Sequence, residues 1–195
     1  MDEMCLYAFV ISSQFFSSQA PTNLSLPIVH HPNYEAADFP VGHRFPMAKF
    51  RHLPECLMQA GLVGPGTFHQ PEAASTKALS RAHDEAYVSA VTSSTVAADI
   101  ERQIGLPMRK SVGLRGAYAT GGTMLSAQLA LQHGLACNTA GGSHHARREH
   151  GAGFCVFNDV AVAALDLLAD QKLDQVMVFD CDVHQGDGTA QICQD

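Results

Sequence analysis

Residues 175–188, QVMVFDCDVHQGDG, begin as an apolar run and end in acids, an imidazole and glycines. From Val176 no polar side chain interrupts the run before Asp180, so residues 175–182 read as a strand buried on both faces, as in parallel sheets. An extended backbone sends alternate side chains the same way, so Asp180, Asp182 and His184 project together near the strand's carboxyl end. Open α/β sheets hold their ligands at that end. Taken singly, an Asp there is a cap and a His a satisfied polar group. As a cluster, the acids repel one another and raise each other's pKa unless a cation or hydrogen-bond donors keep them ionised. A carboxylate and an imidazole two residues apart supply O and N donors suited to zinc or a similar divalent ion.

Outward from this strand, short apolar runs alternate with helical periods, the signature of an α/β protein on a parallel sheet. LPIVHH (26–31) reads as the first strand. PMAKFRHLPECLMQA (46–60) reads as a helix broken at Pro54 and stopped by Gly61. SRAHDEAYVSAV (80–91) reads as a helix capped by Ser80 that buries Ala82, Ala86 and Val88. TMLSAQLALQ (123–132) is a helix with small residues for close packing, ended by Gly134. LACNTAGG (135–142) is a short buried strand running into glycines, and NDVAVAALDLLAD (158–170) is an amphipathic helix capped by Asn158 or Asp159. There are no internal repeats.

The second chemical cluster is TAGGSHHARREHGAGFCVFND (139–159). Gly141 and Gly142 let the backbone turn tightly after the strand, and His144 and His145 follow at once. Adjacent imidazoles beside a metal-bound water can divide general-base and general-acid work, each with a carboxylate behind it to orient the ring. Asp180 and Asp187 are the spare acids; read alone, an HH pair is more often merely a polar loop. Gly151-Ala152-Gly153-Phe154 is no dinucleotide fingerprint, because the sixth position is Val156. Ser143 is not in a nucleophile elbow, since His144 follows it where Gly is required.

Composition bounds the rest. The 195 residues suffice for one domain with a core, or for part of a larger one. A formal charge of -7, with only 12 Lys and Arg, argues against a nucleic-acid surface. No apolar run reaches the roughly 20 residues of a membrane-spanning helix. Six cysteines without a C-x-x-C pair indicate neither a zinc knuckle nor a disulfide framework, but reduced thiols. The first residues are apolar but carry Asp2 and Glu3, and the first Arg or Lys is Arg44, so neither a secretory leader nor a mitochondrial presequence is expected. Residues 1–25 read as a disordered or adventitious extension, and a cytoplasmic location is expected, or a nuclear one in a eukaryote.

AGGSHHARREHGAGFCVFNDVAVAA (140–164) followed by FDCDVHQGDGT (179–189) resembles the zinc-dependent histone deacetylase family, which shares its α/β fold with arginase. The likeness extends through TGGTMLSAQLALQHGLACNTAGG (120–142), and more loosely through AHDEAYVSAV and HPNYEAADFPVGHRFPMAKF, so it covers residues 26–195. HQG and HRFPMAKF are similar to the class IV and bacterial deacetylase-like branch. The resemblance implies a three-layer α/β/α fold with a mostly parallel sheet. It makes Asp182 and His184 zinc ligands and His144 and His145 the catalytic histidines, paired with Asp180 and Asp187 respectively. Asp180, with carbonyls around Asp182 and His184, would also belong to a potassium site. Gly153 and Phe154 match the wall of the narrow tunnel that admits an acyl-lysine chain. The implied reaction is hydrolysis of an acetyl or other acyl amide on lysine, in a protein or peptide, or on a small amine, with no direct nucleic-acid or membrane partner. Oligomeric state is left open.

The chain departs from that pattern at its end. The family's third zinc ligand, an Asp, and its oxyanion-binding Tyr follow the D-x-D-x-H strand, and ICQD holds neither. Tyr7, Tyr34, Tyr87 and Tyr118 all precede the motifs. The expectation is therefore the N-terminal part of a deacetylase domain, its C-terminal part missing, with little activity of its own. The alternatives are a truncated, non-catalytic binding protein and, less well matched, an arginase-type ureohydrolase, whose two-metal D-x-H-x-D order differs from D-x-D-x-H.

Overall fold

The structure, a computed structural model, describes residues 8–11, 26–64 and 66–194. Its strands are β1 (Ala8–Ile11), β2 (Ile28–Val29), β3 (Cys137–Asn138) and β4 (Val176–Phe179). Its α-helices are α1 (Lys49–Gln59), α2 (Thr76–Leu79), α3 (Glu85–Thr92), α4 (Ala98–Ile104), α5 (Lys110–His133), α6 (Asp159–Ala169) and α7 (Asp187–Ile192). The expected parallel pairing is present between β2 and β3, in register Ile28 to Cys137 and Val29 to Asn138. β4 instead pairs antiparallel with β1, Phe179 opposite Ala8 and Val176 opposite Ile11. The rest of the reading for residues 1–25 falls outside the described residues.

Helix α5 organises the core. It is rich in Gly, Ala, Ser and Thr, and most of its length is buried. Two glycines mark its closest approaches: a Cβ at Gly121 would overlap the carbonyl oxygen of Glu72, and one at Gly122 would overlap the Tyr34 hydroxyl. Glycine inside a helix costs about 1 kcal/mol against Ala, and here it admits neighbouring chain to the helix surface. Tyr34, Leu79, Val112, Val156 and Phe157 fill the space around α5. The Arg115 side chain is buried there too, its guanidinium 4.4 Å from the Phe50 ring centre and its Nε donating to the Tyr34 carbonyl at 3.2 Å. Helix α6 lies against α5, its buried stripe running from Val160 to Leu167.

Four sequence expectations change. Helix α1 continues through Pro54, which forfeits one backbone donor but is buried with Phe50 against the core. The segment 80–91 is not one helix. Ser75 caps α2, its Oγ accepting from Ala78 N at 3.2 Å, Ser80 ends that helix, and Asp84 begins α3 in an extended conformation. The bend turns His83 inward and leaves Ala86 exposed, while Ala82 and Val88 are buried as expected. The helix expected at 123–132 is the last part of α5, which ends at Gly134 with a φ of 87°. Finally, β4 is not covered on both faces: Met177 and Phe179 are 57% and 60% exposed, because α6 packs against the strand and β1 meets only its edge.

Candidate active site

The loop after β3 turns at Gly141 and Gly142, with φ of 100° and 78°, in the left-handed region that glycine enters without strain. The turn is held from below by Asp159 at the start of α6. This carboxylate accepts from Gly142 N at 3.0 Å, from Ser143 N at 2.7 Å and from the Thr123 hydroxyl at 2.5 Å. Asn158 caps α6 through Oδ1, which accepts from Ala161 N at 3.0 Å. Its Nδ2 donates to the Ala146 carbonyl and to Thr189 Oγ1, each at 3.0 Å, tying the histidine loop to α7.

These supports present His144 and His145 side by side, ring centres 4.2 Å apart. His144 is buried, and its Nδ1 lies 2.7 Å from Asp180 Oδ2. His145 is partly open, and its Nδ1 lies 3.0 Å from Asp187 Oδ1. The other oxygen of Asp187 takes Nη2 of Arg147 at 2.6 Å. Burial alone would raise the Asp187 pKa, but the hydrogen bonds from His145 and Arg147 and the guanidinium charge outweigh it and hold the carboxyl below its usual range. Both expected His–Asp pairs are thus within hydrogen-bond distance. With Nδ1 facing a carboxylate, each imidazole has its second nitrogen, Nε2, turned away from that acid.

Asp182 and His184 also converge. Asp182 Oδ1 accepts from the His184 backbone N at 2.7 Å and lies 3.0 Å from His184 Nδ1 and 4.0 Å from His144 Nε2. A nearly buried carboxylate beside an imidazole nitrogen has the donor chemistry zinc takes, and the two fit one half of such a site. Among the described residues no group of three or more His, Cys, Asp or Glu is arranged to hold a metal. Asp180, expected also at a potassium site, spends Oδ2 on His144 and accepts from Asp182 N at 2.9 Å through Oδ1.

Gly153 lines a surface cleft with His145, Arg147, Asp187, Gln103, His150 and Ala152. A Cβ on Gly153 would come 2.6 Å from His145 Cδ2, so a side chain there would push on the ring. Phe154 holds the left-handed region without being glycine, at a φ of 66°. It packs against Phe45, 5.3 Å between ring centres, and under the Arg44 guanidinium at 4.7 Å. Sequence reasoning missed Arg147 and the tethering roles of Asn158 and Asp159, which it read only as helix caps.

A family model described as histone deacetylase domain matches residues 43–195. The chain belongs to the histone deacetylase family. Among the relatives of this chain, an uncharacterized protein of Picosynechococcus sp. is 45% identical over 172 residues, covering 88% of this chain and 57% of that one. Histone deacetylase 2 of Arabidopsis thaliana is 31% identical over 75% of this chain and 39% of its own length. Acetoin utilization protein AcuC of Staphylococcus aureus (strain MSSA476) is 30% identical over 75% of this chain and 40% of its own. The chain therefore spans about half the length of the curated relatives it matches. An HDAC homolog from Aquifex aeolicus superposes with a TM-score of 0.68 at 18% identity, over 87% of this chain and 48% of that one. An HDAC homolog solved with SAHA gives 0.69 at 19%, over 86% and 47%. The fold is the α/β deacetylase fold.

Proposed function

We propose that this chain supplies the two histidine–aspartate pairs and two of the metal donors of a zinc-dependent amide hydrolase acting on acyl-lysine or a related acylated amine. The observation that carries this reading is the pair of Nδ1–carboxylate contacts, 2.7 Å at His144 and 3.0 Å at His145, side by side next to the Asp182–His184 donors. Zinc, held by Asp182 and His184 with a further donor, would polarise the amide carbonyl and make its water acidic. His144 and His145 then divide the proton work: one takes the proton from water, the other returns one to the departing amine. Asp180 and Asp187 fix the rings and favour the protonated imidazole as it forms. Tyr34 and Tyr87 take no part, their hydroxyls being spent on Asn138 and on the Val156 carbonyl. Substrates of this class are acetylated lysine in a protein or peptide and small acetylated amines; potassium at Asp180 and a cytoplasmic location belong to the same proposal.

Zinc binding tests it. The chain is expected to take up zinc weakly, because two protein donors hold it less firmly than three, and Asp182→Ala with His184→Ala is expected to abolish uptake in calorimetric titration. Zinc uptake unchanged in that double variant overturns the assignment. Turnover of an acetyl-lysine peptide by the zinc-loaded chain is expected to be slow and to vanish in His145→Ala.

A further inference from the structure

Arg147 stands outside both histidine–aspartate pairs, yet the structure fixes it at both ends. Its backbone N donates to the His150 carbonyl at 2.8 Å. Its carbonyl lies 2.8 Å from Nδ1 of the buried His83, whose Nε2 accepts from Asn158 N at 2.9 Å. Because that amide can only donate, the His83 ring carries its proton on Nδ1 and gives it to Arg147. The arginine backbone is thus pinned to the core through two hydrogen bonds in series. At the other end, Nη2 meets Asp187 Oδ2 at 2.6 Å while Oδ1 of the same carboxylate faces His145 Nδ1 at 3.0 Å.

A carboxylate with one partner is poorly fixed, since rotation about its last bond is broad and roughly two-fold. A second, charge-assisted bond removes that freedom. We infer that Arg147 is a positioning residue, holding Asp187 so that one oxygen keeps the His145 proton on Nδ1 and leaves the lone pair on Nε2, toward the cleft. This rests on the acid–base role proposed for His145 only for its catalytic meaning; the orientation is a property of the chain itself. Arg147 and Asp187 both line the cleft beside His145, so ligands entering there meet a dyad already set.

The test reads the tautomer and needs no turnover. Long-range proton–nitrogen NMR on the imidazole-labelled chain, in buffer alkaline enough to keep imidazoles neutral, distinguishes Nδ1–H from Nε2–H. In the unaltered chain His145 is expected to hold Nδ1–H by more than about tenfold, the ratio equivalent to one charge-assisted hydrogen bond. Arg147→Met is expected to bring the ratio within about threefold of unity, and Arg147→Lys to restore part of it, because an ammonium supplies the charge without the fork. Retention of the Nδ1–H form in a folded Arg147→Met, with the His83 signals unchanged, overturns the proposal. Should that variant not fold, the Arg147 guanidinium in the unaltered chain decides. Restricted rotation of its Nη groups, freed by Asp187→Asn, supports the inference, and free rotation without substitution overturns it. Failure of the hydrolase reading shows separately, as absent turnover with the tautomer still fixed.

Discussion

His83 is 1% exposed and lies far inside the cluster it supports. Burial pushes its imidazole down to about 4, only partly offset by its bonds to the backbone near Arg147. Above the ordinary value of 6.5 neither the folded nor the unfolded form is charged, and the fold keeps its full stability. As pH falls from 6.5 to about 4, protons bind the unfolded chain alone, and roughly 3 kcal/mol is lost across the window. Urea midpoints measured through that range are expected to fall in the natural chain and to fall less steeply in His83→Gln. Single residues were unevenly legible in sequence. The HH pair and the D-x-D-x-H run announce themselves because polar groups crowd an otherwise apolar context, and the pairing of each histidine with Asp180 or Asp187 is what the family resemblance implies. Arg147 gave no such signal. It is one of two adjacent arginines in a polar loop, and only the fold brings it to Asp187, 40 positions away.

The elements carry their own constraints, most sharply at α7. A Cβ on Gly188 would overlap the Ala146 carbonyl oxygen and come 2.6 Å from that of His144, both main-chain atoms of the histidine loop. Gly188→Ala is therefore expected to cost about 1–3 kcal/mol, as overpacking does, and to shift the ring resonances of His144 and His145, checked by thermal melts and NMR. On α5, Gly122→Ala is expected to displace the Tyr34 hydroxyl from Asn138, where it donates at 2.9 Å, and to lower the melting temperature more than Ala127→Gly does. Helix and strand positions were readable where periodicity was undisturbed, as at α6. They were misread where a tertiary contact overrode local preference: Pro54 is carried by burial, and the inward turn of His83 splits α2 from α3. The full length of α5 escaped notice because glycines at 113, 116, 121 and 122 argue locally against a helix.

At the scale of the molecule, β4 leaves Met177 and Phe179 outward, and Val183 beyond it is 80% exposed. Apolar surface of this kind favours association. Sedimentation is expected to show concentration-dependent self-association of the chain, reduced in Met177→Lys with Phe179→Lys while the helical circular dichroism persists. The fold class was legible from alternating apolar runs and helical periods. The covering of β4 was not, because a strand of Val, Met and Phe reads as doubly buried whether or not a layer lies on its second face.

Asn158 sits where the histidine loop, α6 and α7 meet, its nitrogen facing the Ala146 carbonyl and Thr189 and its oxygen facing Ala161 N. That arrangement makes the join depend on which of the two side-chain atoms is the nitrogen. Exchanging that nitrogen for oxygen alters almost nothing in shape, but it sets a carboxylate oxygen against the Ala146 carbonyl oxygen. Asn158→Asp should therefore loosen the paired imidazoles more than Asn158→Ala, which leaves a gap in place of a repulsion.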